Sequence, residues 1–279
     1  MESELKNHLD VKWIDLSQYT KLKLKFFKVT IQNYDFKYAS KWIYGRKDIL
    51  ECIPKMDVKS ITLKDVETLY ITRLWTLIGS FPKEGLLQMS SKKEMFFRNQ
   101  MAKGILAIVD CVLVLNKEYD PSYKKRVKKL SNFSNDNKLI ELANWALNEK
   151  LQPRSAGMTD RQVHELYTNV KKQFFKYFYS TLSCYYNSEI SKPEDIYNFI
   201  KYNSINFIKE KIKKVIFNDN RQELHMYLLN LQGYIAFYYF EMTEERLRMI
   251  QVIMEKRFSF SSNNLDEIRV KVADLRANL

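Results

Sequence analysis

Apolar and polar residues recur at helical spacing over most of this chain. The longest apolar stretch is Ser91–Lys117, SKKEMFFRNQMAKGILAIVDCVLVLNK. Phe96, Phe97, Met101, Ile105, Leu106, Ile108, Val109, Val112, Leu113 and Leu115 make it apolar around most of its circumference after Gly104. That pattern predicts a central, mostly buried helix. Ser91 with Glu94 has the form of a capping box at its start. Asn99, Lys103 and Asp110 fall at i, i+4 and i+11, on one side. A charge on so apolar a helix needs water or a partner. The strip therefore sits either at a solvated rim or along a cleft.

Other segments fall into place around it. Leu9–Leu16, LDVKWIDL, alternates with the period of a strand. Residues 18–31 are ambiguous between helix and strand. Asn33–Gly45, NYDFKYASKWIYG, is rich in aromatics, and Lys41–Tyr44 has room for a short strand. Thr62 with Asp65 opens a helix carrying Val66, Leu69, Tyr70, Leu74, Leu77 and Ile78, which the pattern ends at Gly79. Tyr119–Ser122 is a turn whose Pro121 starts a helix with Lys124, Lys125, Arg126, Lys128 and Lys129. A further helix covers roughly 136–149. Gln152–Gly157, QPRSAG, reads as a linker.

Thr159 with Gln162 caps a long helix to about Cys184. The remainder reads as helices from Ser191 to about Phe217, Arg221–Glu241, Thr243 to about Arg257, and a last one capped by Asn264. The predicted fold is mainly α, a helical bundle with a small N-terminal α/β fragment. Its expected parts are the fragment at 1–58, a helical domain at 59–150 and a second helical region at 151–279.

Composition agrees with this class. Of 279 residues 46% are hydrophobic, and Gly (6) and Pro (5) are too scarce for an all-β fold rich in tight turns. The formal net charge of +13 suits a nucleotide, nucleic acid or other anionic partner. Lysine-rich solvated helix faces give the same number. Cys52, Cys111 and Cys184 are widely spaced and odd in number, so reduced thiols in a cytoplasmic protein are expected, with no disulfide framework. Asp110 interrupts the longest apolar run, and neither a leader nor a membrane span is expected.

Several chemistries lack their residues. There is no GxxxxGK[ST] phosphate cradle. His8, His164 and His225 are scattered and show no zinc spacing. Arg161/His164 and Arg221/His225 stand too close for the Arg-to-His spacing of helical-bundle ribonucleases.

Three stretches together, NYDFKYASKWIYG, TRLWTLIG and RNQMAKGILAIVDCVLVLNKEYDPSYKKR, resemble nucleotidyltransferases of the DNA polymerase β-like superfamily. The resemblance covers about residues 10–130. It implies the last strands of a catalytic fold followed by the helical domain that covers nucleotide and acceptor. That superfamily carries a Gly-Ser pair followed by Asp-x-Asp or Asp-x-Glu. Gly79-Ser80 is the only such pair here, and no acidic pair follows it.

By the resemblance, Asp10 matches a third, metal-supporting catalytic carboxylate, with Asp15 second. One acid cannot hold a two-metal site. The expectation is a split or truncated enzyme, inactive alone, using Mg²⁺ only where a complete catalytic half is present, with a separate catalytic half or a homo-oligomer as its partner. Lys103 would then approach a nucleotide phosphate, with Asn99 and Asp110 orienting it or the acceptor, and Tyr123 near the cleft mouth. Tyr34 or Lys37 is expected to line the same cleft. The alternative expectation is a basic helical adaptor that binds RNA or an acidic protein.

Overall fold

The computed structural model describes residues 28–41, 50–80, 90–192, 195, 243–264, 267, 268, 270 and 271. The chain divides into two compact units, Met1–Ile61 and Thr62–Leu279. The protein is mainly α, and no strand occurs among the described residues. The strand expected at 9–16 and most of Lys41–Tyr44 lie outside them, so the N-terminal α/β fragment is not shown. So do most of the helix expected from Ser191 to about Phe217 and the helix expected over Arg221–Glu241.

In the first unit, helix α1 (Ile31–Ala39) forms from the front of the aromatic block. Thr30 caps it by accepting a hydrogen bond from the Asn33 N–H. Ile53 and Met56 make a small core against Val29, Tyr34, Phe36, Leu50 and Cys52. The Tyr38 hydroxyl accepts from the Met56 N–H at 3.0 Å, which fixes the 50–56 segment against α1.

The second unit is a helical bundle built on α3 (Ser91–Leu115). Around it pack α2 (Leu63–Ser80), α4 (Tyr123–Leu130), α5 (Asn137–Leu151) and α6 (Asp160–Tyr186). α2 also meets α6, and α4 meets α5. The reason is the sequence of α3 itself. Phe97, Met101, Ala102, Ile105, Ile108, Val109, Cys111 and Leu113 are fully buried on different sides of one helix, and only neighbours all round can cover them. Tyr70 of α2 sits edge-on to Phe174 and Phe178 of α6, with ring centroids 5.1 Å away in both cases. Aromatic pairs in this arrangement add to the area they bury.

Two helix ends differ from the sequence reading. α3 is capped by Ser90, whose hydroxyl accepts from the Lys93 N–H, and not by Ser91 with Glu94. α2 runs through Gly79 to Ser80 and does not stop at the glycine. The Thr159/Gln162 capping box forms in both directions at the start of α6. That helix ends at Asn187 in the left-handed conformation, φ 49°.

Beyond α6, helix α7 (Glu244–Phe258) is followed by a loop folded back on it, since Gln251 donates to the Ser262 carbonyl and the Asn263 side chain. Asn264 then caps the next turn by accepting from the Glu267 N–H. Among the described residues no helix is long and apolar enough to cross a membrane.

Candidate functional site

The polar strip of α3 is the expected place for a site, and its two ends have different surroundings. Asp110 is buried and paired with Arg126 of α4, carboxylate to guanidinium at 2.6 Å. The sequence places Arg126 on the face of α4 that also carries Val127 and Leu130, and all three are buried. Its guanidinium lies over the rings of Tyr119 (4.8 Å) and Tyr123 (4.2 Å) and donates to the Pro121 carbonyl at 3.2 Å. Cation–π contacts of this kind are stronger where water is excluded. Burial raises the Asp110 carboxyl from its ordinary value, against the pull of Arg126 and Arg73. Asp110 and Tyr123 thus hold the turn 119–122 and α4 onto α3. Ser122 is the N-cap of α4, so Pro121 lies in the turn before the helix and does not start it, and the Ser122 N–H donates to the Asp120 side chain.

The other basic residues of α4 face away. Lys124, Lys125 and Lys128 are exposed. Lys129 is half-buried and pairs with Glu118 at 3.1 Å, with Asp120 beyond at 3.8 Å.

Toward the start of α3, Asn99 and Lys103 are half-buried, one turn apart. On the opposite side of the same turns a second buried charge cluster forms. Arg98 pairs with Glu94 and Glu149 and donates to the carbonyls of Arg154 and Ser155. Glu94 accepts from the backbone N–H groups of Gly157 and Met158 at 2.9 and 3.1 Å. The QPRSAG stretch is therefore tied to α3 as a tethered loop. Gly157 has φ +153°, a conformation a side chain would strain.

A third buried polar group lies deeper, between α2, α3 and α6. The Tyr70 hydroxyl has no partner in hydrogen-bond geometry, although Cys111 and Thr181 are its polar neighbours. Thr181 donates instead to the Tyr177 carbonyl at 2.7 Å. Burial pushes both the Tyr70 phenol and the Cys111 thiol well above their ordinary values, which favours the neutral form of each.

In the first unit, the Lys37 ammonium donates to the backbone carbonyls of Leu50 (3.3 Å) and Ile53. Tyr34 packs on Tyr38 with centroids 4.6 Å apart. Both residues support the local fold of that unit. Asp10 and Asp15 lie outside the described residues. Among the described residues no three His, Cys, Asp or Glu side chains come together as a metal cluster.

What sequence reasoning does not single out is Phe96. By type it belongs with the apolar positions of α3, yet it is 53% exposed while its neighbour Phe97 is fully buried. Its position supplies the signal, since Lys92, Phe96, Asn99 and Lys103 share one helical stripe at i, i+4, i+7 and i+11.

Comparison with protein-family models, with curated proteins and with solved structures finds no match.

Proposed function

We propose that the helical bundle binds a polyanionic partner, nucleic acid, through the outward lysines of α4, and that it does so without chemistry of its own. The division within α4 carries this reading. The one basic side chain that faces inward, Arg126, is held by Asp110 and two tyrosine rings, while Lys124, Lys125 and Lys128 are presented to solvent on a helix that is firmly seated. The chain's net charge of +13 supports the same partner class. Lysines that neutralise phosphates release counterions, so the affinity falls steeply with salt. Titration of a labelled RNA oligonucleotide by fluorescence anisotropy tests this. Tight binding at low salt with a linear fall of log K against log salt is expected. No binding at low salt overturns the proposal, and binding of an acidic polypeptide instead moves it to a protein partner.

A second reading keeps the nucleotidyltransferase-like expectation. It is favoured by Asn99 and Lys103, which are adjacent on α3 and half-buried. In this reading the bundle covers nucleotide and acceptor, and a separate catalytic half brings the metal-binding carboxylates and Mg²⁺. The chain alone then transfers no nucleotide with Mg²⁺ or Mn²⁺, and Lys103→Met abolishes a nucleotide-dependent rise in melting temperature. Incorporation of labelled nucleotide that is lost in Asp10→Ala contradicts it.

A further inference from the structure

The stripe Lys92, Phe96, Asn99, Lys103 continues along α3 as Leu106 and Asp110. Its far end is covered, with Leu106 4% and Asp110 8% exposed, and Asp110 is paired there with Arg126 of α4. Its near end is open. Lys92 and Lys93 are exposed, and so are Met95 and Phe96. An aromatic ring left in water beside a methionine that is itself 42% exposed is a patch and not a stray apolar residue.

The charge along this stripe is of one sign up to Asp110. The stripe has a lysine one turn before Phe96 and another two turns after it, and no acidic residue until the buried Asp110. Along the axis these lysines stand roughly 6 Å and 10 Å from Phe96, at 1.5 Å per residue. Between them Asn99 offers both a donor and an acceptor. A basic strip interleaved with an exposed ring is the chemistry of single-strand binding, in which bases stack on the ring and phosphates meet the cations. An apolar protein helix would fit Met95 and Phe96 but would leave the flanking lysines facing its apolar side.

We infer that the N-terminal half of α3 is a stacking platform for single-stranded nucleic acid, with Phe96 receiving a base and Lys92 and Lys103 flanking it. This rests on the polyanion reading of α4 and adds selection of single strands to it. A duplex hides its base faces and engages the lysines only.

The test uses the full chain with a 15-nucleotide oligo-U, the matching oligo-dT, a duplex of equal length and inorganic polyphosphate. Phe96→Leu removes the ring at an exposed position, and a thermal melt checks that the fold is kept. Expected is about a tenfold loss of affinity for both single strands. Duplex and polyphosphate binding stay unchanged, and Phe96→Trp restores or exceeds the original affinity. An equal loss on all four ligands, or no loss on the single strands, overturns the inference. If Phe96→Leu binds single strands normally while Lys124→Gln/Lys125→Gln/Lys128→Gln does not, the platform fails and the α4 reading stands. If the unmodified chain binds none of the four, both fail. Loss of poly-glutamate binding in Phe96→Leu, with oligonucleotide binding intact, assigns the stripe to a protein partner and also overturns it.

Discussion

The two ends of α3 handle charge in opposite ways. At the C-terminal end a single carboxylate, Asp110, lies on the outward stripe and has been roofed by a helix that brings its own arginine. At the N-terminal end the carboxylate and arginine, Glu94 and Arg98, lie on the inward side and gather a loop and α5, while the stripe itself stays open around Phe96. Charged residues on this helix are thus no guide to a ligand by themselves. Each buried one is answered by a neighbour in the chain, and the exposed lysines and the exposed ring are what remain for a partner.

The sharpest way to break this contrast is to remove one buried guanidinium. Arg126→Met keeps the stem but leaves Asp110 buried without its charge partner, which should cost about 3–5 kcal/mol. Chemical denaturation measures it, and adding Asp110→Asn should recover a large part of the loss. A cost near zero would mean that Asp110 is accessible to solvent or ligand after all. Arg98→Met at the other end should destabilise by about 3 kcal/mol, because it strands the Glu94 and Glu149 carboxylates. It should also raise protease cleavage within 152–157, as read by mass spectrometry of limited digests.

Smaller effects sharpen the packing account. A methyl group on Gly104 would stand 3.6 Å from Leu77 and 3.7 Å from Val170, which is ordinary contact. Gly104→Ala should therefore stabilise the bundle by about 0.5–1 kcal/mol through helix propensity alone. A destabilised variant would show that α3 lies closer to its neighbours than those distances.

Asp136 gives a pH signature. Burial, which would raise its carboxyl, is outweighed by the Lys176 ammonium at 2.6 Å and the Leu139 N–H, so the group titrates below its ordinary value. A lowered carboxyl stabilises the fold above the ordinary carboxylate range and loses that contribution as the pH falls through the native value. Asp136→Asn, which still caps α5, should cost about 0.5 kcal/mol at neutral pH, since Lys176 is largely exposed. The difference from the unmodified protein should vanish in acid. A difference that persists there would place the effect in the cap and not in the charge.

Much of the helical order is legible from periodicity and caps. α3 is recognisable as the central helix because its apolar residues leave no side for solvent. Thr159 with Gln162 marks the start of α6 correctly. Glycine is the weaker guide. Gly79 carries a stop signal only when the chain must turn there, and the run continues helically because Tyr70, Leu74 and Leu77 hold α2 in the core. Glu94 looks like half of a cap, but its real partners, Gly157 and Met158, are more than sixty residues away, and no local pattern reveals them. Arg126 hides within a run of lysines, although Val127 and Leu130 on its face hint at burial. Phe96 and Phe97 are alike in sequence, yet about 100° of helix separates a ring in solvent from a ring in the core.

The lysine face of α4 is the centre of the functional account, and the salt dependence of binding measures it most directly. Replacing Lys124, Lys125 and Lys128 together with Gln should leave the melting temperature unchanged. It should lower the slope of log K against log salt by about 2 on single-stranded RNA, at roughly 0.7 for each phosphate that a lysine no longer neutralises. Adding Lys129→Gln should change the slope little, because that ammonium is already paired with Glu118. A slope that stays the same in the triple variant would contradict the account, since the charge that meets the polyanion would then lie elsewhere on the chain.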